Sequence, residues 1–215
     1  VGRGGEIPLP QTGGGPTTNY FPLVANRAAA KVLVPTNGNL GATWTGSPSF
    51  EPFDTTGWLS GPTGVGYDRA TAYDSLIGVD VGRQMRSNTS VYIRIDFDVS
   101  DPALVDLLEL RIKYDDGFVA FLNGEQLASA NSPVSPGWNS SARVAHGANP
   151  RAYIKFDVSD KKGKLRTGRN VLAIQGLNDT VNSSDMLIVP ELYAGKVSAP
   201  TTLEPRINFG AIEAN

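Results

Sequence analysis

The chain has 215 residues, 40% hydrophobic and 19% charged, and its 19 basic against 21 acidic side chains leave a formal charge of −2. That composition excludes a disordered tail, and the absence of any basic tract argues against nucleic acid and anionic membrane surfaces as partners. No apolar run approaches the ~20 residues of a bilayer-spanning helix. With no Cys and a single His, His146, there is no thiolate nucleophile, disulfide framework or Cys/His zinc site, and no Ser-His-Asp triad unless His146 serves it. His146 lies in a turn-rich stretch and is expected to be a solvated loop imidazole. The 24 Gly and 15 Pro are spread along the chain and favour short elements joined by turns over long helices. At this length about 70% of the chain's surface can be buried in one core, so one domain suffices.

The opening Val1-Gly2-Arg3-Gly4-Gly5 carries neither an initiator Met nor a signal peptide and reads as part of something longer. Residues 1–28, with Gly13-Gly14-Gly15-Pro16 and the nearby Pro8 and Pro10, are expected to be a linker or N-terminal extension. The module proper is expected over 29–197. Ala30 to Pro35 is its first β-rich run, with Pro35 at a strand end. From Thr36 to Asn88 the aromatics Trp44, Phe50, Phe53, Trp58 and Tyr67 stand among Gly, Pro, Ser, Thr and Asp. Rings spaced this way need a body to bury them, so loops and short strands wrapped on the core are expected, with Trp44 and Trp58 as anchors.

From Val91 to Val99 every odd position is apolar and most even ones are polar, the period of a strand with one buried and one wet face. Asp101 before Pro102 would cap a single helical turn. Leu108, Leu110 and Ile112 alternate with Glu109, Arg111 and Lys113 up to Asp115-Asp116-Gly117. The runs Phe118–Leu122 and Glu125–Ala130 flank Asn123-Gly124, a hairpin signal because a type I′ turn needs positive φ at both central residues. After a polar excursion over 131–150, strands are expected at Ala152–Val158, Val171–Asn178 and Met186–Ala194. Six or more short strands without a sustained helical period give an all-β fold, an antiparallel β-sandwich. Residues 198–215 read as linker followed, from Arg206, by the possible first strand of another domain.

Three clusters carry candidate chemistry. Adjacent carboxylates at Asp115 and Asp116 form either a turn in which Asp accepts backbone N–H bonds or a hard-oxygen site for Ca²⁺, with Asp185 as a further ligand. The polar loop Asn178–Asp185 is either a solvated turn or a contributor to that shell and to sugar hydroxyl recognition, through Asn178, Asp179 and Asn182. Trp138, beside Asn139 in a polar loop, is either a stacking platform for the C–H face of a sugar or a ring folded under the loop by Pro133, Val134 and Pro136. Asp115 and Asp116 are too close in sequence to flank a glycosidic bond from opposite sides, so no enzyme is expected.

The stretch Tyr114-Asp115-Asp116-Gly117 to Asn123-Gly124, followed by Asn170-Val171-Leu172-Ala173-Ile174, resembles the galactose-binding-like jelly-roll superfamily, including accessory sandwich domains of β-galactosidase-type glycoside hydrolases. Trp58 with Gly61, Gly64-Val65-Gly66-Tyr67, Met85 and Ser184 to Leu192 are similar to a module of large secreted proteins of planctomycete-type bacteria, often beside lamin-tail domains. The segment Arg206–Asn215 is similar to the opening strand of such a lamin-tail domain. Asp115-Asp116 is also similar to the paired aspartates of anthrax-protective-antigen-like lectin domains, where calcium contacts sugar hydroxyls. These resemblances imply a non-catalytic, secreted or cell-surface module that binds polysaccharide as a monomer within a multidomain chain. The alternative is a structural spacer or protein-adhesion domain that binds no sugar.

Overall fold

The computed structural model describes residues 15–146 and 152–200. Its strands are β1 Thr17–Val24, β2 Ala29–Leu33, β3 Leu59–Pro62, β4 Val65–Asp68, β5 Val79–Asp80, β6 Ser90–Val99, β7 Leu107–Asp115, β8 Gly117–Leu122, β9 Glu125–Ala130, β10 Ile154–Asp157, β11 Gly168–Leu177 and β12 Asp185–Ser198. They form two sheets. One runs β10-β7-β12-β4-β5, with β1 added along β12; the other runs β3-β2-β6-β11-β8-β9. Every pairing is antiparallel except the short β4-β5 contact. The expected all-β sandwich is therefore the fold.

Helical structure among the described residues is confined to short 3₁₀ turns, the longest being Ser159–Lys164. The turn at Pro102–Leu104 forms where expected, with Asp101 Oδ1 accepting from the Ala103 amide at 2.9 Å. Asn123 and Gly124, at φ 52° and 90°, make the hairpin turn between β8 and β9.

The core lies between the sheets. Val91, Ile93 and Ile95 of β6, Leu108, Leu110 and Ile112 of β7, Phe118 and Leu122 of β8, Leu172 and Ile174 of β11, and Met186 and Ile188 of β12 are almost completely buried. Each set is one parity of its strand, the face that the two-residue period predicts. Asp115-Asp116-Gly117 is the point where the chain leaves the first sheet and enters the second, because β7 pairs with β12 while β8 pairs with β11.

Two expectations are corrected here. The linker assigned to residues 1–28 contains β1, whose Thr17–Val24 runs along Leu192–Ser198 of β12 and buries Val24. Gly-rich sequence just before it concealed the strand, since Tyr20, Phe21 and Pro22 do not alternate with polar residues. The wet face expected for β6 holds only for Asp96 and Asp98, whereas Tyr92 and Arg94 are each 3% exposed. They are covered by the aromatic segment that follows β2. The calls that fall on Arg206–Asn215 lie outside the described residues.

Candidate functional site

The outward face of the second sheet is unusually apolar. Register aligns Tyr92, Gln175 and Val119 in one row across β6, β11 and β8, and Arg94, Ala173 and Phe121 in the next. All six side chains point away from the core, by the same alternation that sends their neighbours inward. The turn Thr43–Thr45 lays Trp44 on this face, its ring stacked on Tyr92 at 3.9 Å and 11°, and edge-on to Phe121 at 5.9 Å. Burial pushes the Tyr92 hydroxyl above its ordinary pKa.

Arg94 fixes that turn from below. Its guanidinium donates to the Trp44 carbonyl and to Glu51 Oε1, the latter at 2.6 Å, and lies 4.8 Å from the centre of the Phe53 ring. Glu51 in turn meets Arg169 at 3.2 Å, and Arg169 reaches Asp96 on β6. A guanidinium so buried requires fixed acceptors, and the long segment between β2 and β3 supplies them.

The loop after β9 forms the opposite wall. Asn131, at φ 51°, closes its base: Nδ2 donates to the Asp116 and Val144 carbonyls, and Oδ1 accepts from the Val144 amide. Further along, Gln175 Nε2 donates to the Gly137 carbonyl at 2.8 Å and to Ser90 Oγ at 2.9 Å. Thr89 Oγ1 donates to the Asn139 and Ser140 carbonyls at 3.1 Å. The strand ends thus hold the loop in one place, and with it Trp138. The Trp138 ring lies against the backbone of Gly38, where a Cβ would sit 2.8 Å from Cδ1.

Between these walls lies a cavity of about 450 Å³, floored by Trp44, Tyr92 and Gln175 and flanked by Phe121, Gln126 and Trp138. Its size falls within the range of about 300–1,000 Å³ usual for small-ligand sites. The two alternatives for Trp138 resolve between them, because the ring is half-buried against the aromatic cluster and lines the cavity with its remaining surface. Of the residues expected to bind sugar, Trp138 alone lies here. Asn139 and Asp179 border a separate polar depression of about 350 Å³ beside Thr89 and Thr180. Asn182 is exposed, its amide bonded to Thr180 Oγ1.

Asn178 is corrected outright: it is 1% exposed, its Nδ2 donating to the Tyr67 hydroxyl at 2.8 Å and to the Asp185 carbonyl, and its Oδ1 accepting from the Asp179 amide. A side chain so committed is part of the frame. His146 is corrected too. Its ring is stacked on Tyr114 at 4.5 Å, and its Nδ1 is buried without a hydrogen bond among the described residues.

The turn reading of Asp115-Asp116 is what the geometry supports. Asp116 accepts the His146 amide on Oδ1 and the Asp179 amide on Oδ2, both at 2.7 Å, and Asp115 Oδ2 accepts the Tyr73 hydroxyl at 2.9 Å. Burial, reinforced by the neighbouring Asp116, pushes the Asp115 carboxyl up to about 7 against the pull of Tyr73. Asp185 is raised as well, by burial first and by Asp68 and Asp116 after it. Among the described residues no three His, Asp or Glu side chains are grouped as metal ligands. The two amides that converge on Asp116 and the Tyr73 hydroxyl on Asp115 are donors of the kind that hold carboxylates in a turn.

Among the lining residues, sequence reasoning missed Tyr92, Phe121, Gln126, Ser135 and Gln175. A signal existed in Gln175, the single polar residue in the run Val171–Leu177 apart from Gly176, and in Tyr92, an aromatic on the parity assigned to water.

No family model matches the chain, and no curated protein matches it. Solved structures do. A β-glucuronidase of Bacteroides uniformis aligns with a TM-score of 0.50 at 11% identity, over 83% of this chain and 18% of that one. Bacteroides uniformis β-glucuronidase 2, covalently bound to cyclophellitol-6-carboxylate aziridine, gives 0.50 at 12% over the same shares. A β-glucuronidase from an uncultured Clostridium gives 0.45 at 13%, over 90% of this chain and 31% of that one. The chain therefore spans less than a third of each of these chains, and what it shares with the two Bacteroides uniformis structures is the fold alone. No helix among the described residues is long and apolar enough to cross a membrane.

Proposed function

We propose that this chain is a non-catalytic carbohydrate-binding module, a galactose-binding-like sandwich that holds polysaccharide in the cavity between Trp44 and Trp138 for a secreted bacterial multidomain protein. The carrying observation is the cavity's composition: the partly exposed rings of Trp138 and Phe121, over a floor of buried Trp44 and Tyr92, offer the C–H faces of pyranose rings an apolar surface, while Gln175, Gln126 and Ser135 supply hydrogen-bonding groups. The loop bearing Trp138 is already tied down, so binding need not bear the cost of ordering it. The motif resemblance at Tyr114–Gly124 and the sandwich fold shared with domains of glycoside hydrolases point the same way. The surrounding protein supplies any catalysis, through covalently joined domains.

Affinity electrophoresis through gels containing soluble polysaccharides tests this reading. The native chain is expected to be retarded by at least one glycan, and Trp138→Ala to lose about tenfold or more in affinity, the usual consequence of truncating an aromatic anchor. Migration unaffected by every glycan would instead favour a spacer or adhesion domain.

A further inference from the structure

We infer that the cavity selects uncharged saccharides and discriminates against uronic-acid and sulfated glycans, an inference that rests on the carbohydrate-binding reading and narrows it to one ligand class. The chain is 19% charged, so a lining of sixteen residues at average composition would hold about three charges; among the described residues this lining holds none. The buried Arg94 lies beneath Trp44, satisfied by the Trp44 carbonyl and Glu51, and Lys164 stands outside the lining in an exposed pair with Glu125 at 3.3 Å. Neither presents a free guanidinium or ammonium to an acidic ligand inside the cavity.

What the cavity does present suits neutral rings. Trp138 and Phe121 line it with partly exposed aromatic surface, and Gln175 spends its amide nitrogen on Ser90 and Gly137, which leaves Oε1 as its acceptor. An acceptor at the floor takes a hydroxyl donor and repels a carboxylate or sulfate. An anion entering here would lose water and gain no opposite charge, whereas a hydroxyl exchanges one hydrogen bond for another. The absence of charge is thus a selection device: strong binding of acidic sugars needs a cation such as arginine, whose planar fork matches a carboxylate.

Isothermal titration with matched oligosaccharides tests it: cellohexaose against its C6-oxidised counterpart, and β-1,4-mannohexaose against β-1,4-oligomannuronate of the same length. At least one neutral member is expected to bind at least tenfold more tightly than its acidic partner. The gap should narrow in Gln126→Lys, which places a cation at the exposed rim without touching the core. Equal or tighter binding of the acidic member, abolished by Trp138→Ala, would overturn the charge selection while leaving the carbohydrate-binding reading intact. If neither pair, nor any neutral hexasaccharide from mannan, xylan or laminarin, gives heat, both fall together. A neutral-to-acidic gap unchanged in Gln126→Lys would also overturn the inference, since it would trace the preference to shape.

Discussion

Gly38 and Trp138 show how one missing methyl positions a ring. Alanine at Gly38 would place its Cβ 2.8 Å from Trp138 Cδ1, so the indole must shift. Gly38→Ala is expected to weaken glycan binding while leaving the melting midpoint within a few degrees of the native chain, because Gly38 is exposed and outside the core. Unchanged affinity would place the ligand away from Trp138. Asp115 carries a different residue-scale prediction. Its carboxyl is raised from 3.8 to about 7, chiefly by burial, so the folded state holds a proton that the unfolded chain releases near pH 4. The folded form therefore binds more protons across that window, and stability contributed below pH 4 is lost as the pH rises through 7. Asp115→Asn keeps an acceptor for the Tyr73 hydroxyl and removes the titration, so its midpoint should rise relative to the native chain between pH 4 and 8. A constant difference across that range would contradict the assignment.

Among the elements, the β8-β9 hairpin and the covered half of β6 mark what sequence pattern can and cannot convey. Asn123-Gly124 was legible because positive φ at two successive residues demands those side chains. Gly124, at φ 90°, also has no room: a Cβ would lie 2.6 Å from Ser47 Cβ. Gly124→Ala is expected to cost about 2 kcal/mol or more, lowering the midpoint by roughly 4–8 °C in a thermal melt. By contrast, alternation along β6 identified the inward face but not what covers the outward one. Tyr92 and Arg94 occupy the parity that normally meets water, and only the contacts of Trp44, Glu51 and Phe53, some 40–50 residues earlier, bury them. Such long-range cover leaves no local period. Its energetic signature is the Arg94–Glu51 pair: Glu51→Ala should strand a buried guanidinium and destabilise the chain by about 3 kcal/mol, read by urea denaturation. A midpoint near that of the native chain would mean that the Trp44 carbonyl alone satisfies the Arg94 guanidinium and that the Glu51 contact adds nothing to stability.

At the scale of the molecule, the sandwich class could be read from composition and periodicity, and so could the placement of Trp138 in a loop, but of the twelve strands β1, β3, β4 and β5 carry no periodic signal that marks them. The extent of the sandwich was not legible. Thr17–Val24 lacks alternation because most of β1 is exposed, with Val24 buried and Leu23 packed partly against the core, yet it covers the edge of β12 from Leu192 to Ser198. Uncovered strand edges pair with other chains. A form beginning at Ala25 is therefore expected to melt lower and to self-associate in sedimentation velocity, and a monomer of native stability would show that β1 is dispensable. The functional face is likewise a whole-molecule property, assembled from the segment after β2, the rows of β6, β11 and β8, and the loop after β9. Amide and indole NMR shifts during titration with a neutral hexasaccharide decide whether this face holds a glycan. The Trp138 indole and the amides of Phe121, Gln126 and Gln175 are expected to move while those of Asp179 and Asn182 stay in place; movement confined to Asp179 and Asn182, or none at all, would rule this face out as the binding surface.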